Sequence, residues 1–473
     1  MAFWNRRKPL EIAAATDAAH RLKPTLTWPH LVAMGVGAIV GTGIYTLTGI
    51  GAGLAGPAVI LSFLLCGVIC ACAAFCYAEM ATMIPAAGSA YTYTYSVLGE
   101  LLAWIVGWSL ILEYTVAAAA VAVGWSAHVA EFIQAAGWAV PQQLLHGVMA
   151  GGIVDLPAII IAAAVTALLI VGTRESANVN LVLVVIKLAA LVLFVVLASA
   201  SFDPARFHPF APFGFAAHLG PDGVKRGVLA AAALVFFAFY GFDAVSTAAE
   251  ETKKPTRDLT IGIIGSMVLC TAIYMAVAAS ALGASYFGDF SKTGAPLVYI
   301  LNSLKHGVAA QVVASAAIIA LPTVILVLMY GQSRIFFVMA RDGLLPPSLA
   351  VVHRRRGTPV LMTALTGVVV AILAATLKLD QIALLANAGT LCAFVAVAAS
   401  MLVLRVRDPQ RARPFRTPLP WIVGPLCIIG CLYLFLNGLP AFTQWWFLFW
   451  NTGGIILYFA YGAWRSRLAR AGA

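Results

Sequence analysis

Twelve apolar stretches, each near the roughly 20 residues that a helix needs to cross a hydrocarbon core about 30 Å thick, leave this chain little choice of solvent. They fall at 30–55, 57–83, 98–133, 154–173, 178–202, 226–249, 259–283, 308–340, 358–378, 381–404, 419–438 and 442–464. Only 10% of the residues are charged and 62% are hydrophobic, whereas a soluble domain carries about 25% charge. The expected fold is all-α and polytopic, with 12 transmembrane helices in a lipid bilayer.

Lysine and arginine set the expected orientation. With the N-terminus inside, the basic residues at 6–23, 253–257, 334–356, 405–416 and 465–470, together with Arg174, all face the cytoplasm. Arg206, Lys225, Arg226, Lys292, Lys305 and Lys378 are left for the outer face. This is the positive-inside pattern, and it puts both termini in the cytoplasm. The formal charge of +11 is then an orientation signal and calls for no nucleic acid. Residues 1–28, which show no signal-peptide shape, read as a cytoplasmic tail, and 465–473 as another.

The first span contains GVGAIVGTGIYTLTG, Gly35 to Gly49, with five glycines. Each costs a helix interior about 1 kcal/mol relative to alanine, so a segment that only crossed lipid would gain nothing from them. They mark a break at Gly41-Thr42-Gly43. A second irregular spot, Gly241-Phe242-Asp243, interrupts the sixth span. Equivalent helices separated by five spans run in opposite directions, so residues 29–202 and 203–405 read as an inverted repeat of five helices each. Residues 406–464 add the last two.

Broken backbone inside a membrane persists where something else bonds to it. N–H groups at Thr42, Gly43 and Ile44 would form a positive helix end suited to a carboxylate. Carbonyls near Phe237, Ala238 and Tyr240 suit an ammonium group. The pair fits an α-amino acid zwitterion, with each charge-assisted hydrogen bond worth roughly 1.5–3 kcal/mol. Val40, Phe239, Phe242 and Met329 are expected to line the remaining pocket. Close helix packing through small residues such as Gly37 and Gly41 is the alternative explanation of the glycines.

Three ionisable residues lie within apolar spans: Glu113, Asp243 and Lys187. Such groups cost roughly 2.5–3.5 kcal/mol or more near the bilayer centre and are functional candidates on that ground. Glu113 is alternatively a helix-to-helix hydrogen-bonding residue, and Asp243 a cap for the restart of the sixth span. The eight cysteines have no interleaved histidine or carboxylate and read as small buried hydrophobes, so no metal site is expected. No HExxH or GxSxG pattern supports an enzyme.

Five segments in order resemble the amino acid-polyamine-organocation (APC) superfamily, closest to bacterial members of its cationic amino acid transporter family. They are the glycine segment above, YAEMATMIPAAGSAYTY (77–93), GWSLILEYTVAAAAVAVGWS (107–126), FFAFYGFDAVSTAAEETKKP (236–255) and GQSRIFFVMARDGLLP (331–346). The resemblance implies a leucine-transporter-type fold, two broken helices and alternating access across a bacterial inner membrane. It carries substrate-binding roles onto Ile39, Gly41, Thr42, Gly43, Phe237, Ala238 and Tyr240. The position of Lys187 resembles that of a span-five lysine whose amine, in some proton-coupled relatives, replaces the cation of sodium-coupled ones. That resemblance makes the proton the coupling ion, with Lys187 bonding to carbonyls near Gly37 and Ala38; a permanently charged lysine bonded to helix-end carbonyls, or one facing a water-filled cytoplasmic vestibule, is the alternative. The expected activity is secondary active amino acid transport by proton symport, with no cofactor. An amino acid or polyamine exchanger and a non-transporting amino acid receptor are the alternatives.

Overall fold

The structure, a computed structural model, describes residues 6–9, 24–135, 138, 140–221, 223–353, 358–377 and 379–471. Most of the N-terminal tail, together with Arg21, Lys23, Arg354, Arg355, Arg356 and Lys378 of the orientation pattern, lies outside the described residues.

Pro29 lies in the first turn of α1 (Trp28–Ile39), where its missing N–H costs nothing. A π-helical turn, Gly43–Leu47, leads into α2 (Thr48–Ala55). Then come α3 (Val59–Met83), α4 (Ser89–Val97), α5 (Glu100–Ala135), α6 (Leu156–Val171) and α7 (Thr173–Ser199). The second half holds α8 (Val228–Val235), the short α9 (Ala244–Thr247), α10 (Pro255–Ala284), α11 (Gly307–Ala320) and α12 (Pro322–Arg341). It closes with α13 (Val360–Thr376), α14 (Leu379–Arg407), α15 (Pro420–Tyr433) and α16 (Ala441–Leu457). Among the described residues, 7 helical stretches are long and apolar enough to cross a membrane, and Leu156–Val171, Val228–Ala238 and Val360–Thr376 are shorter apolar helices.

Two details depart from the sequence expectation. The apolar run at 308–340 is divided into α11 and α12, because Pro322 cannot continue the hydrogen-bond ladder of the preceding turn. Between α7 and α8 a small antiparallel hairpin pairs His218–Leu219 with Lys225–Arg226, an exception to the all-α expectation. Its turn is closed by Gly220 N–H donating to Val224 O at 2.9 Å.

The two breaks fall where the glycines put them. α1 stops at Ile39 and Val40 is extended, with φ −78° and ψ 94°. After α8 and a 3₁₀ turn at Phe236–Ala238, the chain turns at Gly241, whose φ of +112° a side chain would resist. α10 packs on α1, α3 and α7, while α5 packs on α12 and α14. Both broken segments are buried among these neighbours.

One fully buried carboxylate ties three distant segments together. Glu79 of α3 accepts from Arg405 Nε at 3.0 Å and Nη2 at 2.6 Å, and from the Thr417 N–H at 2.7 Å. Arg413 Nε lies 3.2 Å away. Glu79→Ala leaves two guanidinium groups and a buried N–H without their acceptor, a loss expected to cost about 3–5 kcal/mol. Thermal unfolding in detergent checks this: a large drop in midpoint is expected, whereas Arg465→Ala should leave the midpoint close to wild type.

Candidate functional site

The last four carbonyls of a helix have no partner in that helix, and in the middle of an apolar bundle water does not supply one. The end of α1 shows what replaces it. Lys187 Nζ on α7 donates to Gly37 O at 2.8 Å and to Val40 O at 2.6 Å. Tyr274 OH on α10 lies 2.5 Å from Ile39 O and 2.8 Å from Ala238 O, so one hydroxyl bridges both broken segments.

Lys187 has a third partner, Thr323 Oγ1 at the start of α12, at 2.6 Å. The Thr323 hydroxyl is itself a donor to Ala320 O at 2.7 Å and lies 3.1 Å from Gly37 O. Three oxygens around a fully buried amine match the three N–H donors of an ammonium, whereas a neutral amine would keep only two and could accept from the Thr323 hydroxyl only if that hydroxyl gave up Ala320 O. The arrangement therefore suits the protonated form. It also links α1, α7 and α12 through a single nitrogen.

The sequence expectation for this lysine needs one correction. Its carbonyl partners are Gly37 and Val40, not Ala38. The extended backbone at Val40 turns that carbonyl toward α7, while Ala38 packs on the other break: a Cβ built on Gly241 would lie 2.7 Å from Ala38 Cβ.

The two breaks touch directly. A side chain on Gly43 would overlap both the backbone and the Cβ of Ala238. On the other side, a Cβ on Gly41 would meet Val324 of α12 at 2.6 Å. The expected N–H set is partly spent, since Ile44 donates to Gly41 O at 3.1 Å. Thr42 Oγ1 and Tyr240 OH are buried at the breaks with no hydrogen-bond partner among the described residues, an unfavourable state that a polar ligand or water would relieve.

Other predicted residues settle differently. Phe237 stays at the break with its ring 5.3 Å from Tyr240. Phe239 turns into an aromatic cluster with Phe63 and Tyr274, at 6.1 and 5.2 Å between ring centres. Phe242 packs on Tyr77 and Phe394. Met329 is buried on α12, but Val324 is the residue of that helix that meets Gly41. Asp243 accepts from the Gly241 N–H at 3.2 Å and from Tyr114 OH, which makes it part of the break's own scaffold. Glu113 is fully buried on α5 with both carboxyl oxygens unpartnered among the described residues.

Tyr274, Thr323 and Val324 escaped the sequence reading. A tyrosine in an apolar helix signals a hydroxyl in search of a partner, and Tyr274 gives that signal. Nothing local marks Thr323 or Val324, whose importance comes from the neighbour they face.

A profile of the family described as amino acid permease matches residues 26–461. The chain belongs to the amino acid permease family. It is a membrane protein of the APC superfamily, and its relatives are transporters rather than enzymes. The branched-chain amino acid permease BcaP of Bacillus subtilis is 42% identical over 98% of each chain. The methylthioribose transporter of the same organism is 40% identical, covering 96% of this chain and 97% of the relative. Cationic amino acid transporter 2 of Arabidopsis thaliana, described as vacuolar, is 38% identical over 86% of this chain and 63% of its own length.

The contact between Gly43 and Ala238 yields a direct test. Gly43→Val sets a branched side chain against the backbone and Cβ of Ala238 and forces the two breaks apart. Substrate binding to the purified variant, measured by thermal-shift or scintillation proximity with leucine, is expected to fall at least tenfold. Unchanged affinity in a folded variant contradicts the assignment.

Proposed function

We propose that this chain is a proton-coupled importer of neutral L-amino acids that works by alternating access. The observation that carries the reading is the Lys187 amine nitrogen within hydrogen-bonding distance of three oxygens at the junction of α1, α7 and α12. A protonated amine there joins the broken helix to its two neighbours. Loss of the proton removes one donor and leaves a lone pair that the Thr323 hydroxyl can satisfy only by giving up Ala320 O, which weakens that junction. Proton occupancy and the position of α1 are thereby linked.

The substrate's carboxylate would lie at Thr42 and Gly43, against the N-terminal end of the π-helical turn. Its ammonium would take carbonyls of the α8 end near Phe237 and Ala238, where Tyr274 already holds one oxygen. Ile39, Val40, Phe237 and Val324 offer an apolar setting for the side chain, consistent with a branched-chain or other neutral amino acid. The name of the Bacillus subtilis branched-chain amino acid permease points to the same class. A relative at 40% identity is named for a different kind of molecule, methylthioribose, so identity at this level does not by itself fix the substrate.

The same reading takes the chain as 12 spans with both termini in the cytoplasm of a bacterial cell, residues 29–202 and 203–405 forming inverted repeats and 406–464 the added pair. The two central breaks support the repeat: each sits near the middle of an apolar run, and the runs face each other across Gly43 and Ala238.

In proteoliposomes with an acidic exterior, wild-type protein is expected to concentrate radiolabelled leucine, with neutral branched amino acids competing and glutamate failing to compete. Lys187→Ala should lose at least tenfold of this pH-driven accumulation while exchange of internal for external substrate persists. Accumulation by Lys187→Ala at the wild-type level, or uptake that requires sodium and ignores pH, contradicts proton coupling through this residue.

A further inference from the structure

The backbone between α9 and α10 is tied to the start of α1. Lys253 N–H donates to Leu26 O at 2.9 Å, and the Thr25 and Leu26 N–H groups both donate to Glu251 O, at 2.8 and 2.9 Å. The basic side chains of the same segment are left over. Lys253, Lys254 and Arg257 are exposed, and among the described residues none of the three has a side-chain hydrogen bond or ion pair. The acids nearest in sequence do not serve them: Glu250 pairs with Arg341, Glu251 pairs with Arg334, and Asp258 is only 3% exposed. Elsewhere Lys8, Arg405 and Arg413 do find carboxylates.

An apolar strip leads away from these cations. Lys254 caps α10 and Arg257 lies three residues on, so the two share a face. That face continues at helical spacing through Ile261 and Ile264, both partly exposed, to Val268, which is 64% exposed. α1 runs close beside it. A Cβ built on Gly262 would lie 2.7 Å from Leu31 Cβ, and one on Gly265 3.7 Å from Val32 Cγ2. Trp28, one turn before Val32, is 45% exposed. An indole at the end of a membrane helix is at home in the headgroup layer.

We propose that this end of α1 and α10 binds an anionic diacyl phospholipid, its phosphate held by Lys253, Lys254 and Arg257 and its chains lying on the strip from Ile261 to Val268. Charge complementarity selects the occupant. Three cations without protein partners meet a leaflet that carries anionic lipid, each contributing about fivefold to binding. Arginine can grip a phosphate through two parallel hydrogen bonds, and the lysines add point charges. The apolar strip beneath them asks for chains, which a free anion lacks.

The site bears on α1. Without a counter-ion, the three cations repel one another across a segment whose backbone is bridged to Leu26. A bound headgroup removes that repulsion and holds the bridge closed. Lipid charge thereby restrains the start of the broken helix. The inference goes beyond the transport reading and does not depend on the proton of Lys187.

The test is a titration of the purified protein with dioleoylphosphatidylglycerol, against dioleoylphosphatidylcholine as the neutral control, read by native mass spectrometry. Lys253→Gln/Lys254→Gln/Arg257→Gln is expected to weaken phosphatidylglycerol binding roughly a hundredfold, and Arg465→Gln/Arg467→Gln/Arg470→Gln to stay within about twofold of wild type. Trp28→Ala, on the other helix, should weaken it severalfold. In phosphatidylcholine nanodiscs, added phosphatidylglycerol should slow amide hydrogen exchange at Thr25, Leu26 and Lys253 in wild-type protein and leave it unchanged in the first triple variant. Wild-type binding by that variant, or an equal loss in the distal triple variant, overturns the site in favour of surface charge at large. Equal binding and protection by glycerol phosphate, which carries the charge without the chains, overturns the lipid as occupant. Specific binding that leaves exchange at the bridge unchanged in wild-type protein overturns the link to α1.

Discussion

A helix interrupted inside an apolar bundle leaves carbonyls that must find donors, and much of this structure is arranged to provide them. Lys187 takes two of the carbonyls at the end of α1, and Tyr274 takes a third while reaching across to Ala238. An unbonded carbonyl away from water costs several kcal/mol, so the break exists only because α7 and α10 bring these donors to it. This explains why α10 packs on both α1 and α7. It also separates two kinds of donor. A tyrosine hydroxyl donates at any physiological pH, whereas an amine's donor count changes with its proton.

Glycine supplies the second half of the arrangement. Gly43 and Gly241 bring the two breaks within backbone contact, and Gly37 lets the Asn180 amide lie flat on α1. These positions share a requirement: the partner is backbone or a polar atom that must approach closely. A glycine that merely eased helix packing would face aliphatic side chains, as Gly424 does against Leu402. Among the described residues the buried Thr42 and Tyr240 hydroxyls of the two broken segments have no hydrogen-bond partner.

The breaks and the buried charges were legible in the sequence because both violate the local rule for an apolar helix. Five glycines in fifteen residues and a lysine among valines are each unfavourable unless something nonlocal rewards them. What a far helix contributes was not legible. Thr323 and Val324 read as ordinary members of α12, and only the crossing of α12 over α1 turns them toward Lys187 and Gly41. The choice of Val40 over Ala38 as an acceptor was equally hidden, since it depends on the direction a carbonyl takes in one extended residue. The aromatic residues show the same limit: Phe237 and Phe239 are two residues apart in one motif, yet one stays at the break and the other joins Phe63 in the core.

The ends of the broken segments away from the junction are fastened as well. Leu26, just before α1, forms a parallel bridge with Thr252, after α9, through Lys253 N–H donating to Leu26 O at 2.9 Å and Leu26 N–H donating to Glu251 O at 2.9 Å. Glu251 in turn pairs with Arg334 of α12 at 2.8 Å, and Glu250 with Arg341 at 2.7 Å. These pairs are buried, so separating them exposes charges that then need water or new partners, a cost paired geometry alone avoids. The Lys187 junction and this outer clasp both join α1 to α12, about 20 Å apart along α1 at 1.5 Å per residue. On the proposed mechanism, loosening the inner junction by deprotonation does not by itself free α1. The clasp must open too, and its backbone bridge makes α1 and the segment after α9 a natural pair to move as one.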